Sequence, residues 1–310
     1  MIIQISKNDV ALIRDLADYR MMTCSQLALL HSRNEAALRR RMKKLLAVGM
    51  VEELPVGQNQ SPGRPVSTFG VGRDGVGLLR ERKVLPDAVS FEQVTGTVII
   101  PQASHQMLMN WCRIHLVHMT RKIPRLSIEF LTCNSPFALD PARGTSVLWD
   151  RVPGTDDEHD EGRKILPDAV FTITHTKEGK TLLFFLEVDM NTEPVASSRK
   201  NTADITGKIG DYQGYFRSGA YKRYQETWAT SLNGFRLLFL CNNPNRMASL
   251  CETVRSFPPS DFIWLTSQER MFVEGMSGDI WVRGGKLESG VQSILGRLSE
   301  RAPIPSICEA

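Results

Sequence analysis

The stretch NEAALRRRMKKLLAVG, residues 34–49, decides how the first part of the chain is read. Ala37, Leu38, Met42, Leu45 and Leu46 recur at intervals of three and four, which sets them along one side of a helix over residues 34–48. Arg39, Arg40, Arg41, Lys43 and Lys44 supply five cations within six positions. Gly49 ends the helix, because a residue without a Cβ accepts the left-handed conformation that follows a last turn.

Upstream, Val10, Ile13, Leu16 and Ala17 keep helical spacing and predict an amphipathic helix. Thr23 suits the N-cap of a short second helix over 25–31, with Leu27, Leu29 and Leu30 facing a core and a turn at Ser32 and Arg33. Downstream, a strand over 50–54 leads into a Gly/Pro/Gln-rich tip, residues 55–65, containing Arg64. A return strand over 66–71 and a helix over 74–83 follow. The order helix, helix, basic helix, two-stranded wing, helix is that of a winged helix-turn-helix, assigned to residues 1–85. A helix fits the major groove of DNA, and its cations reach phosphates or base edges. Arg33, Asn34, Arg39, Arg40, Arg41, Lys43 and Lys44 are therefore candidate contacts to double-stranded DNA, with Arg64 placed for a neighbouring phosphate or the minor groove. The alternatives are a solvated helix face and a protein–protein contact.

The charge distribution agrees. Residues 1–83 hold 14 Lys and Arg against 8 Asp and Glu, whereas the rest of the chain holds 24 against 26. At 310 residues two domains are expected. The six cysteines form no Cys-x-x-Cys pair, as expected of reduced thiols in a cytoplasmic protein. The most apolar run, residues 181–188, is too short to span a bilayer, so no membrane partner is expected. The acidic run 156–161 reads as a solvated loop, with Ca²⁺ or Mg²⁺ binding as the alternative. His105, His115 and His118 read as helix packing rather than as metal ligands.

Residues 86–104 read as a linker, 105–301 as a second domain and 302–310 as a tail. The second domain opens with a helix over 105–122. Strands are expected over 126–131, 169–174 and 181–190, the last two joined by a turn at Lys177, Glu178 and Gly179. A helix over 202–217, a strand over 235–241, a helix over 246–256 and a strand over 262–265 come next. A short strand over 279–283 and a helix over 290–301 finish the domain. This alternation predicts an α/β sheet with helices on its faces, within an α/β multidomain chain.

Acidic residues interrupt the apolar strands. Asp168 follows Pro167 at the start of the hairpin, and Glu187 and Asp189 end the run Leu182-Leu183-Phe184-Phe185-Leu186. Residues two apart on a strand project to the same side, so Glu187 and Asp189 point together. Asp168 comes near them if the hairpin turns at 177–179. Buried carboxylates need a cation or a metal. Mg²⁺ or Mn²⁺ on Asp168 and Glu187 could activate water against a phosphodiester.

This pattern resembles the PD-(D/E)xK nuclease fold, which implies metal binding by Asp168 and Glu187 and a lysine two residues after the glutamate. Asp189 occupies that lysine position. Lys208, on the following helix with Tyr212 and Tyr215 on the same face, is the substitute candidate, so Asp168, Glu187, Asp189 and Lys208 form the candidate catalytic set. Arg199 and Lys200 stand nearer in sequence. More specifically, the winged helix, a helix led by His105, Pro167-Asp168-Ala169 and Phe185-Leu186-Glu187-Val188-Asp189-Met190-Asn191-Thr192-Glu193 resemble the replication-relaxation family of plasmids and mobile elements, over roughly residues 8–265. The resemblance implies plasmid replication, DNA relaxation or mobilisation, with replication or mobilisation proteins and a second copy of the chain as further partners. The acidic set admits two readings: a Mg²⁺-dependent endonuclease or nickase, or an ion-pair network of Asp168, Glu187, Asp189 and Glu193 with Lys208 and Arg199 in an inactive nuclease-like domain. A winged-helix transcriptional regulator is the third functional class.

Overall fold

The computed structural model describes residues 3–55, 66–87, 89–95, 102–140, 143–152, 163–192, 204–296, 298 and 300–305. The chain is mixed α/β and divides into two units. The first takes residues up to Ile114 together with Asn134–Ser146; the second takes His115–Cys133 and Val147–Ile304. No helix among the described residues is long and apolar enough to cross a membrane.

The first unit begins at Ser6, whose side chain accepts from the Asp9 amide while the Asp9 carboxylate accepts from the Ser6 amide at 2.7 Å. This reciprocal cap starts α1 (Lys7–Tyr19). A two-residue strand, β1 (Met22–Thr23), runs into α2 (Cys24–His31), which Thr23 and Gln26 cap in the same way. Ser32 turns the chain in the left-handed conformation, and the Asn34 side chain accepts from the Ala37 amide to start α3 (Glu35–Leu46). Then come β2 (Val51–Leu54), β3 (Thr68–Val71) and α4 (Arg73–Glu81). The strands pair antiparallel in the order β1-β3-β2. Sequence analysis missed β1, because two residues carry no period. Leu38, Met42 and Leu45 of α3 are buried with Leu12, Ile13 and Leu16 of α1. Ala37 and Leu46, expected on that apolar side, are exposed instead; each is one residue from a buried position, about 100° round the helix from it. Gly49 takes φ +68°, and Gly75 lets α4 lie against the chain at Met50, whose carbonyl a Cβ would meet at 2.1 Å.

A long helix, α5 (Ala103–Lys122), is shared between the units. Its first turns carry buried Gln106 and Asn110. Asn110 donates to the Tyr19 and Met21 carbonyls at 3.2 and 2.6 Å, and Gln106 to Tyr19 at 3.2 Å. Side chains of α5 thereby bond carbonyls at and just after the end of α1. β4 (Leu126–Thr132) follows in the second unit, and the first unit regains a small pair, β5 (Leu139–Asp140) with β6 (Thr145–Ser146).

In the second unit β7 (Asp150–Arg151) pairs with β8 (Lys164–Ile165) ahead of the main hairpin, β9 (Ala169–His175) and β10 (Lys180–Asp189). Then follow α6 (Ile205–Ser218), α7 (Tyr224–Thr227), β11 (Phe235–Cys241), α8 (Pro244–Ser256), β12 (Ile263–Ser267), α9 (Gln268–Glu274) and β13 (Val282–Arg283). The six-stranded sheet runs β13-β12-β11-β10-β9-β4. β4, β9 and β10 form an antiparallel meander, whereas β10, β11 and β12 are parallel. Parallel strands need a crossover, and α6 and α8 supply it. On one face Leu183 and Phe185 pack with Tyr212 and Tyr215 of α6 and Leu250 and Val254 of α8. On the other, Phe130, Phe171 and Phe184 stack at 5.4 and 4.8 Å. A strand covered on both faces is apolar throughout, which is why β10 shows no alternation.

The helix expected over 290–301 does not form in the described residues. Gly290 and Gly296 both take positive φ, and Gln292 exchanges two backbone hydrogen bonds with Trp281 at 2.9 and 3.0 Å. An extended bridge to a buried tryptophan thus replaces local helical bonds.

Asp9 joins two stabilising devices, since it closes the α1 cap and also binds Arg41 of α3 through both oxygens, at 2.7 and 2.6 Å. Burial alone would raise its pKa, but the hydrogen bonds from Arg41 and Ser6 win and hold it below the ordinary carboxylate value. A depressed pKa stabilises at neutral pH, and the contribution disappears as pH falls through the folded value. Asp9→Ala should destabilise the first unit by about 2–4 kcal/mol in urea unfolding at neutral pH, by loss of a cap and of a buried partner. The deficit should shrink in acid; an undiminished deficit there would count against the ion pair.

Candidate functional site

The five cations of α3 divide into two groups. Arg41 is turned inward: besides Asp9 it donates to the Gln4 carbonyl at 2.8 Å, so it fastens α3 to α1. Of the cations read as DNA contacts, Arg41 is thus the one engaged with a buried acid of its own unit. Arg39 pairs with Glu35 one turn earlier at 2.5 Å while its side chain stays 62% exposed. Arg40, Lys43 and Lys44 are exposed. Arg33 is half-buried and Asn34 is exposed, its carbonyl oxygen already engaged in the cap. An open depression of about 380 Å³ runs along Glu35, Ala36, Arg39, Arg40 and Lys43. This face can neutralise a row of anions without desolvating a cation first. Arg64 lies outside the described residues, as do the 156–161 acidic run, Glu193, Arg199 and Lys200.

The second cluster sits where β10 ends. Asp168, Glu187 and Asp189 come together as the hairpin geometry predicts. Leu186 pairs with Ala169, so Asp168 stands across from Glu187. The Asp168 carboxylate accepts from the Val188 amide at 2.8 Å. Glu187 is 5% exposed. One of its oxygens accepts from Lys208 Nζ at 3.1 Å and the other from the Tyr212 hydroxyl. Lys208, Tyr212 and Tyr215 do share a face of α6, with Tyr215 donating to Asp150 at 2.7 Å. Asp189 is held by Arg246 in a two-pronged pair, Nε to Oδ1 and Nη2 to Oδ2, each 2.9 Å. Both partners are 7% exposed.

Sequence reasoning missed Arg246, which it placed merely at the start of a helix. A signal existed: β11 runs parallel to β10 with Cys241 beside Asp189, so the first turn of the helix after β11 must reach the same end of the sheet. The helix begins two residues earlier than expected, at Pro244, with Asn243 capping the Arg246 amide at 2.8 Å.

The arrangement does not fit a resident divalent ion. Among the described residues no group of three or more His, Cys, Asp or Glu is placed to hold a metal. Mg²⁺ is held through one or two carboxylates, with water completing its octahedron. Here both Glu187 oxygens and both Asp189 oxygens accept from the chain's own donors. His115 and His118 lie on α5, where burial, together with the neighbouring His118, pushes His115 down to about 4; it is neutral, T-shaped against Phe272 at 5.9 Å, and serves packing.

Burial pushes the Glu187 carboxyl up to about 7; Lys208 draws it back, and the charge of Asp168 adds to the rise. A carboxyl raised in the folded state contributes its stability fully below the unfolded value and loses it as pH climbs through the folded one. As pH climbs from weakly acidic to above neutral, the second unit should lose unfolding free energy from this group. Four of the five tryptophans, Trp149, Trp228, Trp264 and Trp281, lie in that unit, so tryptophan fluorescence in urea reads it. Glu187→Gln should flatten the decline, and an equal slope in the variant would assign it elsewhere.

No curated protein and no solved structure matches the chain. The sequence model of the replication-relaxation family matches residues 13–229, more than two thirds of the length. The match runs from the middle of α1 past the end of α7, and so takes in α3 and Asp168, Glu187, Asp189, Lys208 and Tyr212, while Arg246 lies beyond it. The chain belongs to the replication-relaxation family.

Proposed function

We propose that the chain binds double-stranded DNA through its first unit and acts in the replication, relaxation or mobilisation of a plasmid or mobile element. The observation that carries this reading is the exposed row Arg40, Lys43 and Lys44 on α3, opposite the buried Leu38, Met42 and Leu45. The element order supports a winged helix-turn-helix: α1, β1, α2, α3, then the β2–β3 hairpin closing a three-stranded sheet, then α4. In that architecture α3 is the helix that enters the major groove, and the connection between β2 and β3 is the wing. The family supports a replication role, with replication or mobilisation proteins as partners.

For the second unit the order α5, β4, β9, β10, α6, β11, with an antiparallel meander and then a parallel strand, supports a scaffold of the PD-(D/E)xK kind. One observation favours a metal-dependent nuclease as the second reading, namely that Lys208 from α6 reaches Glu187 beside Asp168. Against it stands the occupancy of the Glu187 and Asp189 oxygens, and DNA binding with a non-cutting second unit is the better account.

Fluorescence anisotropy with a labelled duplex tests the binding face. If Arg40, Lys43 and Lys44 each meet one phosphate, log K should fall with log salt at a slope of about −2.7, and each alanine substitution should remove about 0.9 of it. Arg41→Ala should instead lower the melting temperature and leave the slope of the folded protein near the wild-type value. A wild-type slope of zero would refute the phosphate-contact reading.

A further inference from the structure

We infer that the carboxylates at the end of β10 are neutralised by the chain's own cations, Arg246 and Lys208, and hold no resident divalent ion. The nuclease-like pattern of Asp168 and Glu187 implies such an ion, and the disagreement lies in the donors. Arg246 takes both oxygens of Asp189 in the fork geometry that best matches a carboxylate, and the Asn191 amide adds a third hydrogen bond to Oδ1 at 2.7 Å. An ion placed on Asp189 would strand a guanidinium that is 7% exposed, and a buried charge that loses its partner is strongly destabilising. At Glu187 an ion would have to displace the Lys208 ammonium from one oxygen or the Tyr212 hydroxyl from the other. Tyr212 is fully buried and packs edge-on against Phe185 and Phe235.

The cluster is thus a brace. It ties the end of β10 to α6 through Lys208 and Tyr212 and to α8 through Arg246. This inference concerns the second unit alone and does not rest on DNA binding by the first.

The test uses the full chain, stripped with EDTA and dialysed. Equimolar Mn²⁺ is added with and without duplex DNA, and the free-ion signal is read by electron paramagnetic resonance. The expected result is the full free-ion amplitude without DNA and, with DNA, the amplitude that the same duplex gives without protein. If amplitude is lost, anomalous scattering from Mn²⁺-soaked crystals of the same protein locates the ion. An ion between Asp168 and Glu187, or on Asp189, overturns the inference. An ion found elsewhere supports it, because the cluster has then been offered the metal and has not taken it. Both readouts use the wild-type chain, so no variant has to fold.

Discussion

Carboxylates at the closed end of a doubly covered strand must be neutralised from inside the protein. β10 runs in the middle of the six-stranded sheet, apolar residues pack on both its faces, and it ends at Glu187 and Asp189, both nearly removed from water. Isolated ionised groups in such a place would cost many kcal/mol. The surrounding helices answer that demand. α6 delivers Lys208 and Tyr212 to Glu187, and α8 delivers Arg246 to Asp189. The crossover helices between parallel strands therefore cover the sheet and also carry the counter-ions for its acids. The same helices carry core residues, Tyr215 of α6 and Leu250 and Val254 of α8, so packing and electrostatics meet on them.

The first unit applies the same rule on a smaller scale. Asp9 is buried at the start of α1, and Arg41 leaves the cationic face of α3 to meet it. Of the five cations one is thus consumed by the fold and one is shared with Glu35, while Arg40, Lys43 and Lys44 face outward. A charge run in a helix is not a uniform patch. Each member has its own angle, and the angle of Arg41 brings it over a buried acid. Arg41 stands three residues after Leu38 and one before Met42, at the border of the buried stripe, and its inward turn follows from that position.

Much of this was legible in the sequence. Helical spacing gave the core face of α3 through Leu38, Met42 and Leu45, and the two-residue period of a strand put Glu187 and Asp189 on one side. Spacings of four and seven placed Lys208, Tyr212 and Tyr215 together on α6, where two of the three now hold Glu187. What escaped depends on contacts distant in sequence. The Asp9–Arg41 pair spans 32 residues and the Asp189–Arg246 pair 57. No local period encodes either one. The helix expected over 290–301 failed for a related reason, since its glycines and the bridge from Gln292 to Trp281 favour an extended path that only the buried indole reveals.

Position 189 shows how one residue redirects a site. In the nuclease pattern that this sequence resembles, a lysine there would bring a cation to the face already occupied by Asp168 and Glu187. Aspartate brings a third negative charge instead. A charge buried at 189 is tolerable only with a cation of its own. Lys208 donates to Glu187. Arg246, from the next crossover helix, meets the demand with two hydrogen bonds and is itself buried by doing so. Asp189 and Arg246 are therefore best regarded as a single unit, in which neither charge is acceptable without the other. That unit stands beside Glu187 and joins the end of β10 to α8.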